Sequence, residues 1–222
     1  MAKYTNTDLI FRNRTDAGKQ LAEKLVLYKL ENPIIIGLPR GGVTVSKPIA
    51  DRLGAKLDIM VSKKIGAPSN PELAIGAVTS HGDYVIASYS NYELGDNKWD
   101  YLQNQIVYLV NECQEREKKY KEGCKSGLET CPSGYKEQNI ILVDDGTATG
   151  MTAMAAIKSI KKQNPKFIVL AIPVISSQAY DELKKQVNQI ETLKIPMEFV
   201  AVGVHYLDFE AVTDEEIKKM LG

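Results

Sequence analysis

Residues 139–152 have the sequence NIILVDDGTATGMT, and this stretch decides the fold class predicted for the chain. Its first part, Ile140 to Val143, is too short for a helix and rich in β-branched residues, which is typical of a buried parallel strand. Two adjacent carboxylates and a loop of small residues follow. From Met151 onward, apolar residues recur at helical spacing, with lysines at other positions. The stretch therefore predicts a strand, an acidic pair, a turn and the start of a helix.

The turn in this stretch has the features of an anion cradle. Gly146 and Gly150 permit close approach of the backbone, and the N–H groups at the start of a helix point towards an anion. Asp144 and Asp145 cannot bind phosphate, because like charges repel. Their oxygens suit the hydroxyls of a sugar diol, or a metal ion held through water. Hydroxyl donors are added by Thr147, Thr149 and Thr152. The order of groups predicts a site for a ribose 5-phosphate with a reactive first carbon.

A second strand and anion loop occur earlier in the chain. Residues 34–36 are three isoleucines that predict a central strand, and the loop GLPRGG at 37–42 leads into a helix. Arg40 contributes a permanent cation, while Gly41 and Gly42 let backbone N–H groups reach a phosphate. Two such loops in one chain indicate two phosphate groups on one ligand.

The sequence VDDGTATGMT at 143–152 resembles, along its whole length, the motif with which type I phosphoribosyltransferases bind 5-phosphoribosyl 1-pyrophosphate (PRPP). The resemblance implies an α/β fold with a central, mostly parallel sheet flanked by helices, a hood or lid subdomain and a long helical insertion. It implies that Asp144 and Asp145 bind the ribose hydroxyls. The 5-phosphate would lie on the loop formed by Gly146, Thr147, Ala148, Thr149 and Gly150.

The Pro-Arg-Gly-Gly segment resembles the pyrophosphate loop of the same family, so Arg40, Gly41 and Gly42 are the expected pyrophosphate contacts. Residues 57–61 predict a strand that delivers two lysines to the same edge. Lys64 is the preferred counterpart of the family's lysine that faces the diphosphate, and Lys63 is the alternative. The resemblance also implies Mg²⁺ as the cofactor.

Residues 1–222 are predicted to form a single phosphoribosyltransferase-like domain, with a lid and a helical arm at about 66–135. Short strands at 73–78 and 84–87 occupy the place of the family's mobile loop, which covers the active site. A long helix is predicted from about Asp96 to Lys121. It packs either against a second subunit or over the lid, and we expect a homodimer.

The segment 195–209 resembles the C-terminal hood of purine-type members of the family. Tyr206 and Phe199 are candidates to stack on a base, and a place in the core is equally consistent with their apolar surroundings. Asp208 is a candidate contact for metal or diphosphate. We expect the nitrogen-containing acceptor to bind here.

Ala148 differs from the residue that part of the family has at this position. Hypoxanthine-type members carry an acid at the position of Ala148, whereas adenine-type members resemble this chain in having Ala there. The group that handles the acceptor's proton is therefore not supplied by the central motif. Glu72, Asp83 and Glu93 are candidates by elimination only, and the sequence does not identify the acceptor.

The composition narrows the range of partners. Lys plus Arg and Asp plus Glu both number 28, so nothing favours nucleic acid or a membrane surface as a partner. Three widely spaced cysteines are typical of free thiols in a reducing cytoplasm, where we expect the protein to be. They are Cys113, Cys124 and Cys131.

These observations favour a Mg²⁺-dependent phosphoribosyltransferase that acts on a nucleobase or similar nitrogen compound and releases pyrophosphate. One alternative is a non-catalytic module that senses PRPP or a nucleotide. A PRPP-forming kinase is weaker, because the chain lacks a Gly-x-x-x-x-Gly-Lys-Ser/Thr loop.

Overall fold

The structure is a computed structural model that describes residues 10–90, 98–122 and 134–222. Glu93, Cys124 and Cys131 lie outside these ranges. Two short 3₁₀ turns span Val26–Tyr28 and Val202–His205. In chain order the helices and strands are α1 (Arg14–Leu25), β1 (Ile34–Gly37), α2 (Gly41–Leu53), β2 (Lys56–Ile59), β3 (Ser62–Gly66), β4 (Ala74–Thr79), β5 (Tyr84–Ile86), α3 (Lys98–Lys121), β6 (Asn139–Val143), α4 (Met151–Lys161), β7 (Phe167–Val174), α5 (Ser177–Leu183), β8 (Gln189–Lys194) and α6 (Asp214–Leu221).

The main sheet has five parallel strands in the order β2-β1-β6-β7-β8. Every residue of β1 and of β6 is buried, as expected for strands covered by helices on both faces. Because β1 pairs with β6, the loops that follow these two strands lie next to each other at the carboxyl edge of the sheet. The predicted fold class, a mostly parallel sheet flanked by helices, is confirmed.

Two features of the sheets, the strands β8 and β3, were not predicted from the sequence. The edge strand β8 has the mixed sequence QIETLK and is only partly buried, so it lacks the apolar pattern of the central strands. Lys63 and Lys64 follow the parallel strand β2 in the chain, as predicted, but they do not lie in a loop. They lie within β3, which belongs to a separate antiparallel sheet with β4 and β5.

The antiparallel sheet packs against α4 and does not stand apart from the domain. Oγ1 of Thr79 and Oγ of Ser159 form a buried 2.8 Å hydrogen bond. At the turn between β4 and β5, Asp83 Oδ1 pairs with Lys162 Nζ at 2.5 Å. The turn at 80–83 therefore lies beside the carboxyl end of α4, about 16 Å from the start of this 11-residue helix. The other end of the hairpin is the loop at 67–73.

The long helix α3 packs within the chain, which was one of the two arrangements left open. Tyr101 donates a 2.8 Å hydrogen bond to the carbonyl oxygen of Gly66 in β3. Tyr120 donates a 2.7 Å bond to Oδ1 of Asp214 in α6. Cys113 on the same helix is fully buried, and burial raises the pKa of its thiol to about 11. The contacts make α3 part of the core, while the expected homodimer remains a prediction.

A buried acid anchors the carboxyl end of α3 to the main sheet. Asp58 in β2 is 2% exposed and pairs through Oδ1 with Lys121 Nζ at 2.9 Å. Its Oδ2 accepts a 3.0 Å hydrogen bond from the hydroxyl of Tyr135. Burial raises the pKa of Asp58 even with the ammonium group beside it. The carboxylate therefore depends on these partners to remain charged inside the protein.

Replacing Lys121 with Met is expected to lower the free energy of unfolding by about 3 kcal/mol, because it leaves Asp58 without its cation. Urea denaturation would measure the change. Lys185→Met is the matched control. The Lys185–Glu182 pair is exposed, so its loss should lower the free energy of unfolding by less than about 0.5 kcal/mol. Adding Asp58→Asn to Lys121→Met should recover part of the stability. Equal stability of the two lysine variants would contradict the anchoring role.

No helix in the described ranges combines the length and the hydropathy needed to span a membrane.

Candidate active site

The predicted sugar-binding acids and the predicted pyrophosphate loop are in direct contact. A Cβ atom added at Gly41 would overlap Oδ2 of Asp145. A Cβ atom added at Gly42 would lie 3.0 Å from Cα and 3.3 Å from Oδ1 of Asp144. Because ligands bind at the carboxyl edge of parallel sheets in α/β proteins, this junction of two loops is a candidate ligand site.

The two acids have different partners. Asp145 Oδ2 accepts a 2.6 Å hydrogen bond from Nε of Arg14, whose side chain is only 11% exposed. Asp144 forms no ion pair within the described ranges, and its Oδ1 accepts a 2.9 Å bond from the amide of Asp145. Burial and the neighbouring carboxylate raise the pKa of Asp144 well above its usual range. Burial also raises the pKa of Asp145, although Arg14 opposes this shift. Asp144 is the acid with spare capacity to accept sugar hydroxyls.

The loop between β6 and α4 has donors available for an anion. Ala148 and Thr149 are exposed, and in the part of the chain that the structure describes their amides, like that of Gly146, donate to no protein acceptor. Unpaired amides beside a helix N-terminus are suited to phosphate oxygens. The loop is open to solvent at these residues, so an oxyanion has access to it.

Other groups of this loop hold its shape. The hydroxyl of Thr147, a buried residue, accepts a 2.9 Å hydrogen bond from the amide of Gly150, which has a φ of +72°. The positive φ explains a glycine at this position. Ser176 donates a 2.5 Å bond to the carbonyl oxygen of Ala148. Through this hydrogen bond and this backbone conformation, Thr147 and Gly150 maintain the shape of the loop.

The cations predicted for the pyrophosphate differ in their accessibility. Arg40 is 45% exposed and its only ion pair in the described ranges is a 3.9 Å contact with Asp214. Lys63 pairs closely with Glu112 of α3. Lys64 is exposed and has no ion pair in the described ranges. Arg40 and Lys64 are therefore the cations that remain available to a ligand, and their contact with diphosphate stays a prediction.

The structure places Tyr206 in the core. It is 6% exposed, and its ring packs against those of Phe11 and Phe209, with centroids at 5.1 and 5.0 Å. Its hydroxyl donates a 2.5 Å hydrogen bond to the carbonyl oxygen of Asp145. With both neighbouring rings in place, Tyr206 holds the acidic pair and is not positioned to stack on a base.

Phe199 and Asp208 remain on the outside of the hood segment. Phe199 is partly buried, with its ring 5.8 Å from that of His205, so it keeps an accessible surface. Asp208 is exposed, and its Oδ1 accepts a 3.3 Å bond from the amide of Glu210. Among residues 10–90, 98–122 and 134–222, no group of three or more acidic, histidine or cysteine side chains is arranged to hold a metal ion. Base stacking by Phe199 and metal binding by Asp208 stay predictions.

The candidates for proton handling are separated by the fold. Asp83 is ion-paired at the far end of α4, away from the phosphate cradle. Glu72 is exposed in the loop at 67–73, and Glu93 lies outside the described residues. The structure therefore removes Asp83 from this role and leaves Glu72 as an untested candidate.

Sequence reasoning missed the partner of the acidic pair, Arg14. Its signal in the sequence is slight, because an arginine at the start of an amphipathic helix is ordinarily solvated. The pairing becomes visible only when the N-terminal helix is placed beside the carboxyl edge of β6.

Three comparisons with known proteins bear on the family and the fold of the chain. Residues 6–208 match the phosphoribosyl transferase domain family. The Mycobacterium tuberculosis proteins named "Putative phosphoribosyl transferase MT0597" and "Putative phosphoribosyl transferase Rv0571c" are each 31% identical over 214 residues, which cover 96% of this chain and 46% of theirs. The chain thus spans about half the length of these curated relatives.

Two solved structures are similar in fold. TT1426 from Thermus thermophilus is 38% identical, with a TM-score of 0.78 and coverage of 96% of this chain and 97% of that one. AQ2163 from Aquifex aeolicus is 12% identical, with a TM-score of 0.50 and coverage of 82% and 74%. The second likeness concerns the fold alone.

Proposed function

The chain belongs to the phosphoribosyl transferase family, and from this premise we propose that it transfers a 5-phosphoribosyl group from PRPP to a nitrogen acceptor and releases pyrophosphate. The observation that carries the proposal is the contact of Gly41 and Gly42 with the acidic pair Asp145 and Asp144. The contact supports the proposal, because PRPP requires a group that binds its sugar beside a loop that binds its diphosphate.

The residues of the site suit the separate parts of PRPP. Asp144 accepts O–H bonds from the ribose, and the free amides of Gly146, Ala148 and Thr149 bind the 5-phosphate. Arg40 and the amide of Gly41 face the pyrophosphate, because the amide of Gly42 already donates to the carbonyl oxygen of Leu38 at 3.0 Å. The bond from C1 to pyrophosphate breaks as the acceptor nitrogen bonds to C1, and the acceptor then gives up its proton. Catalysis of this kind rests on positioning and on electrostatic stabilisation of a cation-like centre.

Mg²⁺ is the proposed cofactor. Proteins commonly bind this ion through one or two carboxylates together with phosphate oxygens of the substrate, so a dedicated cage of ligands is not required. Asp144 fits such a role, because its carboxylate has no internal cation in the described ranges and lies against the Gly42 backbone. When bound, the ion would neutralise charge on the pyrophosphate leaving group.

The proposed acceptor is a nucleobase or a similar nitrogen compound, and nucleotide salvage or synthesis is the corresponding role. The partly accessible ring of Phe199 supports a flat acceptor, because aromatic side chains stack on such rings. The proposal extends to PRPP as donor substrate and to a homodimer as the assembled form.

A second candidate is a non-catalytic module that senses PRPP or a nucleotide. It is favoured by the loop residue Ala148, which supplies no acid, and by the distance of Asp83 from the cradle. Of the candidates from the sequence that lie within the described ranges, Glu72 alone remains to take a proton from the acceptor. A sensor would need the same PRPP-binding groups without such a residue.

Pyrophosphate release separates the two functions. The protein would be incubated with PRPP, Mg²⁺ and a panel of purine, pyrimidine and other heterocyclic nitrogen compounds. We expect pyrophosphate to be released when one class of acceptor is present, and not when no acceptor is added. PRPP binding measured by calorimetry, with no release across the whole panel, would favour the sensor. Absence of PRPP binding would exclude the transferase and a sensor of PRPP.

A further inference from the structure

Arg14 is held at three points by different parts of the chain. Its Nε donates a 2.6 Å bond to Oδ2 of Asp145, and its Nη1 donates a 2.8 Å bond to the carbonyl oxygen of Glu210. Its guanidinium carbon lies 3.7 Å from the centre of the Phe209 ring. With the side chain 11% exposed, the guanidinium has one orientation and little access to solvent. Stacking and directed hydrogen bonds of this kind are specific to arginine.

Residues 11–14 and residues 205–210 are hydrogen-bonded to each other, and together they support the acidic pair, Asp144 and Asp145. The amide of Phe11 donates to the carbonyl oxygen of His205 at 2.9 Å, and the amide of Leu207 donates to that of Phe11 at 2.8 Å. From this support, Arg14 binds the carboxylate of Asp145 and Tyr206 binds its backbone carbonyl. Both the side chain and the main chain of Asp145 are therefore held by residues of these two segments.

This support affects the geometry of two loops, the Gly-Gly loop at 37–42 and the loop that follows β6. The carboxylate of Asp145 that Arg14 holds is the group that a Cβ atom at Gly41 would overlap, and Nε of Arg14 would be 2.8 Å from the same atom. If the guanidinium were absent, two adjacent carboxylates would face each other and the Gly41 backbone without an internal cation. Asp145 would then turn away or add negative charge beside an anionic substrate, and either change weakens binding.

We propose that Arg14 is a positioning residue for the PRPP site, which holds Asp145 against the pyrophosphate loop and leaves Asp144 as the acid that binds the sugar. This inference rests on the proposed function. Arg14 acts through Asp145 and not by contact with substrate, because Nε and Nη1 are already bonded within the chain and the Phe209 ring covers one face.

The test compares Arg14→Ala and Arg14→Lys with the control Arg52→Ala. Arg52 forms a surface ion pair with Glu23 at 2.7 Å, so the control also removes an arginine from an ion pair. PRPP affinity would be measured by calorimetry, and circular dichroism would verify that each variant is folded. We expect Arg14→Ala to bind PRPP about 10- to 100-fold more weakly, the range for loss of a charge-assisted contact. Arg14→Lys should be intermediate and Arg52→Ala unchanged.

Chemical rescue distinguishes positioning from general destabilisation. Free guanidinium, added well below denaturing concentrations, should restore part of the PRPP affinity of Arg14→Ala and none of the affinity of a variant that lacks Asp144. Folded Arg14→Ala that binds PRPP as tightly as wild type, or that guanidinium does not rescue, would overturn the inference. Failure of the wild type itself to bind PRPP would instead overturn the proposed function.

Discussion

Replacing Asp144 with Asn is expected to weaken PRPP binding by at least about 100-fold while leaving the protein folded. The amide oxygen of Asn can still accept the hydrogen bond from the amide of Asp145, so the local backbone is preserved. What is lost is the negative charge that accepts hydroxyl bonds from ribose. Two charge-assisted hydrogen bonds of about 1.5–3 kcal/mol each correspond to a loss of about 100-fold or more. Calorimetry with PRPP measures the affinity.

The matched control for this substitution is Asp51→Asn. Asp51 pairs with Lys47 at 2.5 Å on the surface of α2, so the same chemical change is made away from the site. It should leave PRPP affinity unchanged. Tight PRPP binding by Asp144→Asn would show that the sugar is held elsewhere, and the assignment of the acidic pair would fail.

Asp144 should also change how stability depends on pH. A carboxyl group whose pKa is higher in the folded protein than in the unfolded chain binds its proton more tightly when folded. Its contribution to stability is therefore present at low pH and decreases as pH rises through the folded pKa. In the absence of ligand, Asp144→Asn should lack this decrease and be as stable as wild type, or more stable, at neutral pH. Urea denaturation at several pH values would test the sign.

Replacing Gly41 with Ala is expected to reduce PRPP affinity by about 100-fold. The added methyl group would overlap Oδ2 of Asp145 and press on Nε of Arg14, so either the loop or the ion pair must move. Shifts of about 1 Å in a binding site can reduce activity by about that factor. Overpacking should also lower the free energy of unfolding by about 1–3 kcal/mol. Calorimetry and urea denaturation measure the two effects.

Gly82→Ala is the control that separates the loss of PRPP affinity from the loss of stability in Gly41→Ala. Gly82 has a φ of +83° and nothing within 4 Å of an added Cβ, so alanine there strains the backbone in the turn at 80–83 without meeting another atom. We expect it to lower stability by about 1 kcal/mol and to leave PRPP affinity unchanged. If Gly41→Ala kept full affinity, the close packing of the loop on Asp145 would have no part in binding.

Much of the fold was predictable because its signals are local. Residues 140–143 and 34–36 are continuous apolar runs. Helix limits follow from nearby residues, as in α6, where Thr213 and Glu216 cap the first turn. Strand β8 was not predictable in the same way. It lies at the edge of the sheet, half exposed, and is recognised as a strand only through its pairing with β7.

The residues of the candidate site also fall into two groups, those predictable from local sequence and those whose place depends on the fold. Asp144, Asp145 and the small-residue loop lie within one run of ten residues, where the strand-to-helix turn itself dictates their chemistry. Lys64 and Tyr206 were assigned from their neighbours in the sequence, and the fold puts the first in an antiparallel sheet and the second in a core of aromatic rings. Side-chain burial depends on what packs from elsewhere, so local sequence could not decide it.

By itself, the amino-acid sequence determined the parallel α/β class and the acidic pair followed by a small-residue loop, because each depends on backbone and side-chain properties of adjacent residues. Only the tertiary structure decided which acid keeps free oxygens, since the partner of Asp145 is Arg14, 131 positions away. It also decided that the Gly-Gly loop lies against the acids and that the long helix packs on its own chain. These are contacts between distant segments, formed when burial of apolar faces brings the segments together.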